Sequence, residues 1–239
     1  MASDKFKILE DLPPVRGKKI ILRLDLNVPI ADGKVAGDYR INRVKPTLDF
    51  LRDGGARTLI ISHIESGEKT LKPVFEYLSG LHNLSFAENL EEARSLFEKL
   101  GEGEFLLLEN IRTENGETQN DDSLSEKIAS LGEIYINEAF SASHREHASI
   151  VGVPKFLPAY AGKLFADEVK HLSSAFNPTS PSLFILGGAK LPTKLPLLIK
   201  FLPLYDKIFV GGAIANAILK KKGLPVSLYV QDEEDVEMG

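Results

Sequence analysis

Apolar residues in this chain gather in short runs that alternate with longer amphipathic stretches. Ile20-Ile21-Leu22 reads as a buried strand. The run continues into Arg23-Leu24-Asp25-Leu26-Asn27-Val28-Pro29, where polar and apolar positions alternate. Side chains two apart on a strand share a face, which puts Arg23, Asp25 and Asn27 together and Leu22, Leu24 and Leu26 opposite them. Pro29 cannot donate to a ladder, so the strand is expected to end there. Residues 58–62, 104–109 and 133–137 predict further strands, and 84–86 a weak one. Between them, helical spacing recurs at Ile41, Val44, Leu48 and Leu51, over 74–81, and at Ala93, Leu96, Phe97 and Leu100. Leu124, Ile128 and Leu131 mark another helix, with a cap available from Asp121-Asp122-Ser123. Pro46 falls inside the first helical pattern and sets the expected helix start near it. Asp32-Gly33 predicts a hairpin turn.

The second half carries less of this pattern. Residues 161–175 read as one long helix and 177–181 as a linker. Strands follow at 183–186 and 208–210, with helices at 195–204 and 213–221. The acidic residues 232–237 look like the start of another helix. Strands alternating with helices imply a parallel sheet covered on both faces. The expected fold is therefore α/β: a three-layer α/β/α, Rossmann-like parallel sheet, followed by an incomplete second α/β domain. Two strands and two helices cannot cover both faces of their own sheet.

Composition narrows the function. The chain has 239 residues, 43% hydrophobic and 26% charged, which is ordinary for a globular protein. Its formal charge of −5 argues against general nucleic-acid binding. It has no cysteine, which excludes disulfides, thiolate metal sites and cysteine nucleophiles and fits a reducing compartment. Residues 1–14 hold Asp4, Lys5, Lys7, Glu10 and Asp11 and no apolar stretch of the signal-peptide kind. No apolar run is long enough to span a membrane. A cytoplasmic protein with no membrane or nucleic-acid partner is the expectation. All nine arginines lie between Arg16 and Arg145. Arg presents a planar fork to phosphate and carboxylate, whereas Lys is a point charge. The asymmetry is either chance or a sign that two halves hold different anions.

The candidate chemistry sits just beyond the strands. The first strand ends in Asp25 and Asn27, with Arg40 after its hairpin. The second ends at His63, the third is followed by Arg112, and the fourth by His144, Arg145 and His147. In open parallel sheets, ligands bind beyond the carboxyl ends of the strands. A basin of Arg and His with one carboxylate and one amide suits a small multi-anionic molecule carrying a hydroxyl. The competing reading is a set of polar strand ends satisfied by neighbouring loops.

Taken together, these residues resemble phosphoglycerate kinase. Arg23-Leu24-Asp25-Leu26-Asn27-Val28-Pro29 is similar to the family's R-x-D-x-N-V-P signature. The resemblance continues in family order through Asp38-Tyr39-Arg40-Ile41, Ser62-His63, Leu107-Leu108-Glu109-Asn110-Ile111-Arg112 and Glu138-Ala139-Phe140. It runs on through His144-Arg145-Glu146-His147-Ala148-Ser149, Gly187-Gly188-Ala189-Lys190 with Lys194, and Gly211-Gly212. It implies that Asp25, Asn27, Arg40, His63, Arg112 and Arg145 bind 3-phosphoglycerate or 1,3-bisphosphoglycerate. It implies that Arg40 and Lys194 are catalytic, Arg40 on the phosphoryl group in flight and Lys194 on the nucleotide phosphates. Gly187, Gly188, Ala189, Lys190, Gly211 and Gly212 would line ADP or ATP, which the family uses with Mg2+ in glycolysis. The implied domains are a substrate-binding domain at 1–160, an interdomain helix at 161–176 and the start of a nucleotide-binding domain at 177–239.

Some positions depart from the pattern. The family's Ser-His-Leu-Gly-Arg-Pro is Ser62-His63-Ile64-Glu65-Ser66-Gly67 here, so one substrate arginine is absent and an acid stands nearby. Ala-Phe-Gly-Thr-Ala-His is Ala139-Phe140-Ser141-Ala142-Ser143-His144. Pro192 and Thr193 stand between the two lysines, and Ala213 replaces a third glycine. The metal-holding loop of the family is not in these residues, so no metal ligand is assigned. Two readings stay open. One is a truncated or split phosphoglycerate kinase, with a second polypeptide completing the later strands. The other is a degenerate, non-catalytic relative that binds a phosphorylated metabolite or a partner protein.

Overall fold

The structure is a computed structural model that describes residues 6–67, 69–188 and 191–226. The chain divides into two compact units, Met1–Val169 and Lys170–Gly239. The first is built on a six-stranded parallel sheet of β1 (Lys19–Arg23), β4 (Arg57–Ile61), β5 (Leu84–Ala87), β6 (Phe105–Leu108), β7 (Ile134–Asn137) and β8 (Ala159–Ala161). Their order is β5-β6-β4-β1-β7-β8. The chain moves outward from β1 on one side, then crosses to β7 on the other. That reversal places a crevice at the carboxyl ends of the central strands.

The strands are buried on both faces, as the run of apolar residues requires. Ile20 and Leu22 face a core shared with α1 (Tyr39–Asp53) and α2 (Lys72–Ser79). Ile21 faces the opposite core, shared with α3 (Leu90–Lys99) and α4 (Asp122–Ala129). This is the expected three-layer arrangement. Asn89 and Asp121 cap α3 and α4 by accepting from Glu92 N and Leu124 N. Between β1 and α1, the short strands β2 (Ile30–Ala31) and β3 (Lys34–Val35) form the hairpin, with Asp32 and Gly33 both at positive φ.

Three expectations change in the first unit. β1 stops at Arg23, so strand alternation does not extend through Asp25 and Asn27, although Leu24 and Leu26 stay fully buried. α1 starts at Tyr39 and carries Pro46 inside it. The buried row Ile41, Val44, Leu48 and Leu51 holds the helix together despite the hydrogen bond that proline forfeits. β8 was not expected at all: Ala-Tyr-Ala is too short and too small to show a strand pattern, and its position is set by pairing with β7.

The helix α5 (Lys163–Ser174) spans the boundary between the units. Its first turn is capped by the buried Glu138, which accepts from Leu164 N (3.1 Å), Phe165 N (2.9 Å) and the Thr47 hydroxyl on α1. The second unit pairs β9 (Leu183–Leu186) with β10 (Lys207–Val210) in parallel, with α6 (Leu191–Phe201) and α7 (Gly212–Lys221). α6 starts earlier than expected because Pro192 sits in its first turn, where no N–H is needed. Phe176, Phe184, Phe201 and Tyr205 cluster at centroid distances of 4.6–5.7 Å. On the other side of the strand pair, Leu183, Ile185 and Phe209 are exposed.

Candidate functional site

The residues of the expected basin lie in the first unit, at or beyond the exits of β1, β4, β6 and β7. Asp25, two residues past β1, is buried. Its Oδ2 accepts from Arg40 on α1 and from the Ser141 hydroxyl, and its Oδ1 accepts from Asn27 N at 3.2 Å. Burial pushes the Asp25 carboxyl up. The hydrogen bond from Ser141 and the Arg40 guanidinium outweigh it and hold the group below the usual carboxylate range. A cavity of about 210 Å3 opens beside this pair, lined by Asp25, Arg40, Arg43, Phe140, Ser141 and Glu168.

His63, past the end of β4, is 3% exposed. Its Nδ1 lies 3.2 Å from Arg23 Nη2. A guanidinium can only donate, so Nδ1 accepts and the neutral ring carries its proton on Nε2. Burial, then the Arg23 charge, brings the imidazole down to about 4. His63 is therefore neutral near pH 7. Arg23 itself is 1% exposed and donates from Nε to Ser149 Oγ at 2.9 Å. The Ser149 hydroxyl donates to Glu117 Oε1 at 2.6 Å, and Ser149 N donates to Glu117 Oε2 at 2.9 Å. A buried carboxylate thus balances a buried guanidinium through one serine, and that chain orients His63 from below. His147 Nδ1 sits 3.8 Å from the same Glu117 oxygen.

On the far wall, Arg112 follows β6 in a short 3-10 turn and its Nη1 donates to Glu65 Oε1. Arg145 Nη1 lies 3.9 Å from that oxygen. Arg112 Nε is buried with no partner among the described residues. Asn27 turns its Oδ1 to Glu65 N at 2.9 Å. Asn110 clamps the same loop, donating from Nδ2 to Ile64 O and Lys69 O (2.8 Å each) and accepting from Ile64 N and Arg112 N.

The structure therefore brings Asp25, Asn27, Arg40, His63, Arg112 and Arg145 to one edge of one sheet. His144, grouped with them in the sequence, is exposed. Ser149, Glu117 and Ser141 are the participants that position alone did not mark. Arg23 carried a signal, an arginine inside an apolar strand, but the partners that neutralise it are about 95–125 residues away in sequence.

In the second unit, Gly187 and Gly188 follow β9, and Gly211 and Gly212 follow β10, so both glycine pairs lie at the same end of a parallel strand pair. Gly188 has φ 154°, and a Cβ there would meet Ile214 Cδ1 at 3.2 Å and Lys194 Cε at 3.5 Å. The backbone, Lys194 and the start of α7 are thus in close approach. Ala189 and Lys190 lie outside the described residues.

The first unit is a parallel α/β sheet with arginines at its carboxyl edge, the edge at which open α/β sheets bind ligands. The comparisons make this specific. A family profile described as phosphoglycerate kinase matches residues 9–238. The phosphoglycerate kinase of Thermus thermophilus is 40% identical over 242 residues, covering 97% of this chain and 62% of that protein. That of Granulibacter bethesdensis is 41% identical, covering 96% and 60%. The phosphoglycerate kinase structure from Coxiella burnetii superposes with a TM-score of 0.84 at 34% identity, over 94% of this chain and 59% of that one. The chain belongs to the phosphoglycerate kinase family. It spans about three-fifths of the length of the curated relatives it matches.

Proposed function

We propose that this chain carries the phosphoglycerate-binding part of a phosphoglycerate kinase. The whole protein would transfer a phosphoryl group reversibly between 1,3-bisphosphoglycerate and ADP, giving 3-phosphoglycerate and ATP. The observation that carries this reading is the convergence of three arginines and a neutral histidine beside Asp25 and Asn27. The arginine forks suit phosphate and carboxylate, and Asp25 and Asn27 offer acceptors to a hydroxyl. Arg40, half-exposed over Asp25, is the group best placed to meet the phosphoryl oxygens. In the second unit, Lys194 would hold the nucleotide phosphates, with Gly187, Gly188, Gly211 and Gly212 against the nucleoside. Phosphoryl transfer needs positioning and positive charge around the equatorial oxygens, and little covalent chemistry from the protein. The nucleotide would arrive with Mg2+. No group of three or more His, Asp or Glu among the described residues is placed to hold a metal, so no step here is routed through the ion.

Turnover requires more than these residues. Reacting atoms must come within about 3–3.5 Å, and a displacement of about 1 Å can cost 100-fold. The relatives carry a further two-fifths of sequence that this chain does not match, and the exposed face of β9 and β10 supports the reading that more structure belongs there. That structure would come from the same protein or from a second polypeptide. The second reading, a non-catalytic binder, is favoured by one observation: Glu65 lies between Arg112 and Arg145.

The test combines calorimetry with 3-phosphoglycerate and a coupled kinase assay, with and without a separately made polypeptide supplying the later strands. Binding is expected from the chain alone, and Arg112→Ala is expected to weaken it about 10- to 150-fold. Activity on mixing supports the kinase reading. Binding with no activity in either case supports the binder. No binding at all refutes both.

A further inference from the structure

Glu65 lies in the loop between β4 and α2, and its backbone is held independently of its side chain. Glu65 N donates to Asn27 Oδ1 at 2.9 Å. On either side, Asn110 fixes Ile64 and Lys69, and the Ser66 hydroxyl accepts from Ile30 N at 3.0 Å. The loop therefore has its shape whether or not Glu65 keeps its carboxylate. That carboxylate points at the far wall of the basin, where Oε1 takes the Arg112 donor and lies 3.9 Å from Arg145. The Glu65 side chain is 51% exposed and that of Arg112 only 18%, so the acid covers the base from the solvent side.

We propose that Glu65 is a displaceable internal anion, occupying the place between Arg112 and Arg145 that an anionic group of the ligand must take. This rests on the reading of the basin as a phosphoglycerate site. A ligand carboxylate that displaces Glu65 exchanges one carboxylate for another and gains little. A phosphate dianion brings more charge and more acceptor oxygens to the same two arginines, so it displaces the glutamate at a profit. The residue thus lowers the affinity of the two arginines for every anion that must displace it.

The experiment is titration of the full chain with 3-phosphoglycerate and, separately, with glycerate, in the wild type, Glu65→Gln, Arg112→Ala and the double variant, at one ionic strength. A half-exposed pair of this kind is worth up to about fivefold in affinity, so E65Q is expected to bind 3-phosphoglycerate about fivefold more tightly. Glycerate, which must displace the same side chain, is expected to gain by about the same factor, and the gain should vanish once Arg112 is absent. If Arg112→Ala weakens binding while E65Q changes nothing or weakens it, the basin stands and the displacement idea falls. Equal tightening in both backgrounds indicates repulsion at a distance and also overturns it. If no protein binds 3-phosphoglycerate, the basin reading fails first and takes this proposal with it. Arg112→Lys replaces the alanine variant should the latter fail to fold.

Discussion

Protonating His63 should destabilise the first unit, because the ring is enclosed beside a cation. Its Nδ1 accepts from Arg23, and burial together with that charge brings it to about 4, against an ordinary value near 6.5. Between those values the unfolded chain binds a proton that the folded chain refuses. Stability is therefore complete above about pH 6.5 and is lost as the pH falls towards about 4. Each pH unit of that interval is worth about 1.4 kcal/mol, or about 3 kcal/mol across the whole of it as an upper bound. His63→Asn keeps an acceptor for Arg23 and removes the titration. Urea unfolding of both proteins between about pH 7.5 and 4.5 measures the difference. The wild type should lose stability relative to the variant progressively on the acid side. His82 and His147, which burial also lowers, are common to both proteins and cancel. Parallel stability curves would refute the neutral, Arg23-facing imidazole.

Two further outcomes follow from the scaffolding of the site. In Gly162→Ala, the new methyl would sit 2.1 Å from Glu138 Oε2 and push the carboxylate off the first turn of α5. A loss of about 2–3 kcal/mol in urea unfolding is expected, and an unchanged midpoint would mean that Glu138 does not cap α5 as described. Asn110→Ala removes the clamp on Ile64 and Lys69, with an expected cost of about 2 kcal/mol and faster amide exchange at Ile64. Unaltered exchange there would count against the clamp.

Much of the fold was legible because the first unit obeys simple rules. Ile20 to Leu22, Leu59 to Ile61 and Phe105 to Leu108 are apolar runs with both faces buried, and the helices between them keep one apolar row each. β8 was hidden because Ala159 and Ala161 owe their extended form to β7 and not to any propensity of their own. Pro46 misled because local breaker chemistry lost to the buried row of α1. The basin was legible as a list of strand exits, since parallel topology gathers those exits wherever the chain goes. Its supports were not. Glu117 and Ser149 neutralise Arg23 across about 95–125 residues of sequence, and nothing local marks such a pairing. The contact of Ser141 with Asp25 was equally hidden, because only the return of the chain after β7 brings them together.

The bare side of β9 and β10 gives the chain two clocks. Amides in β1 and β4 are enclosed by helices on both faces and exchange with solvent only when the whole unit opens. Those of β9 and β10 belong to a two-stranded pair with Leu183, Ile185 and Phe209 facing water, and a pair of that size opens at small cost. Deuterium would enter the second unit while the first still holds its protons. A molecule settling on Ile185 and Phe209 would slow the fast clock and leave the slow one untouched.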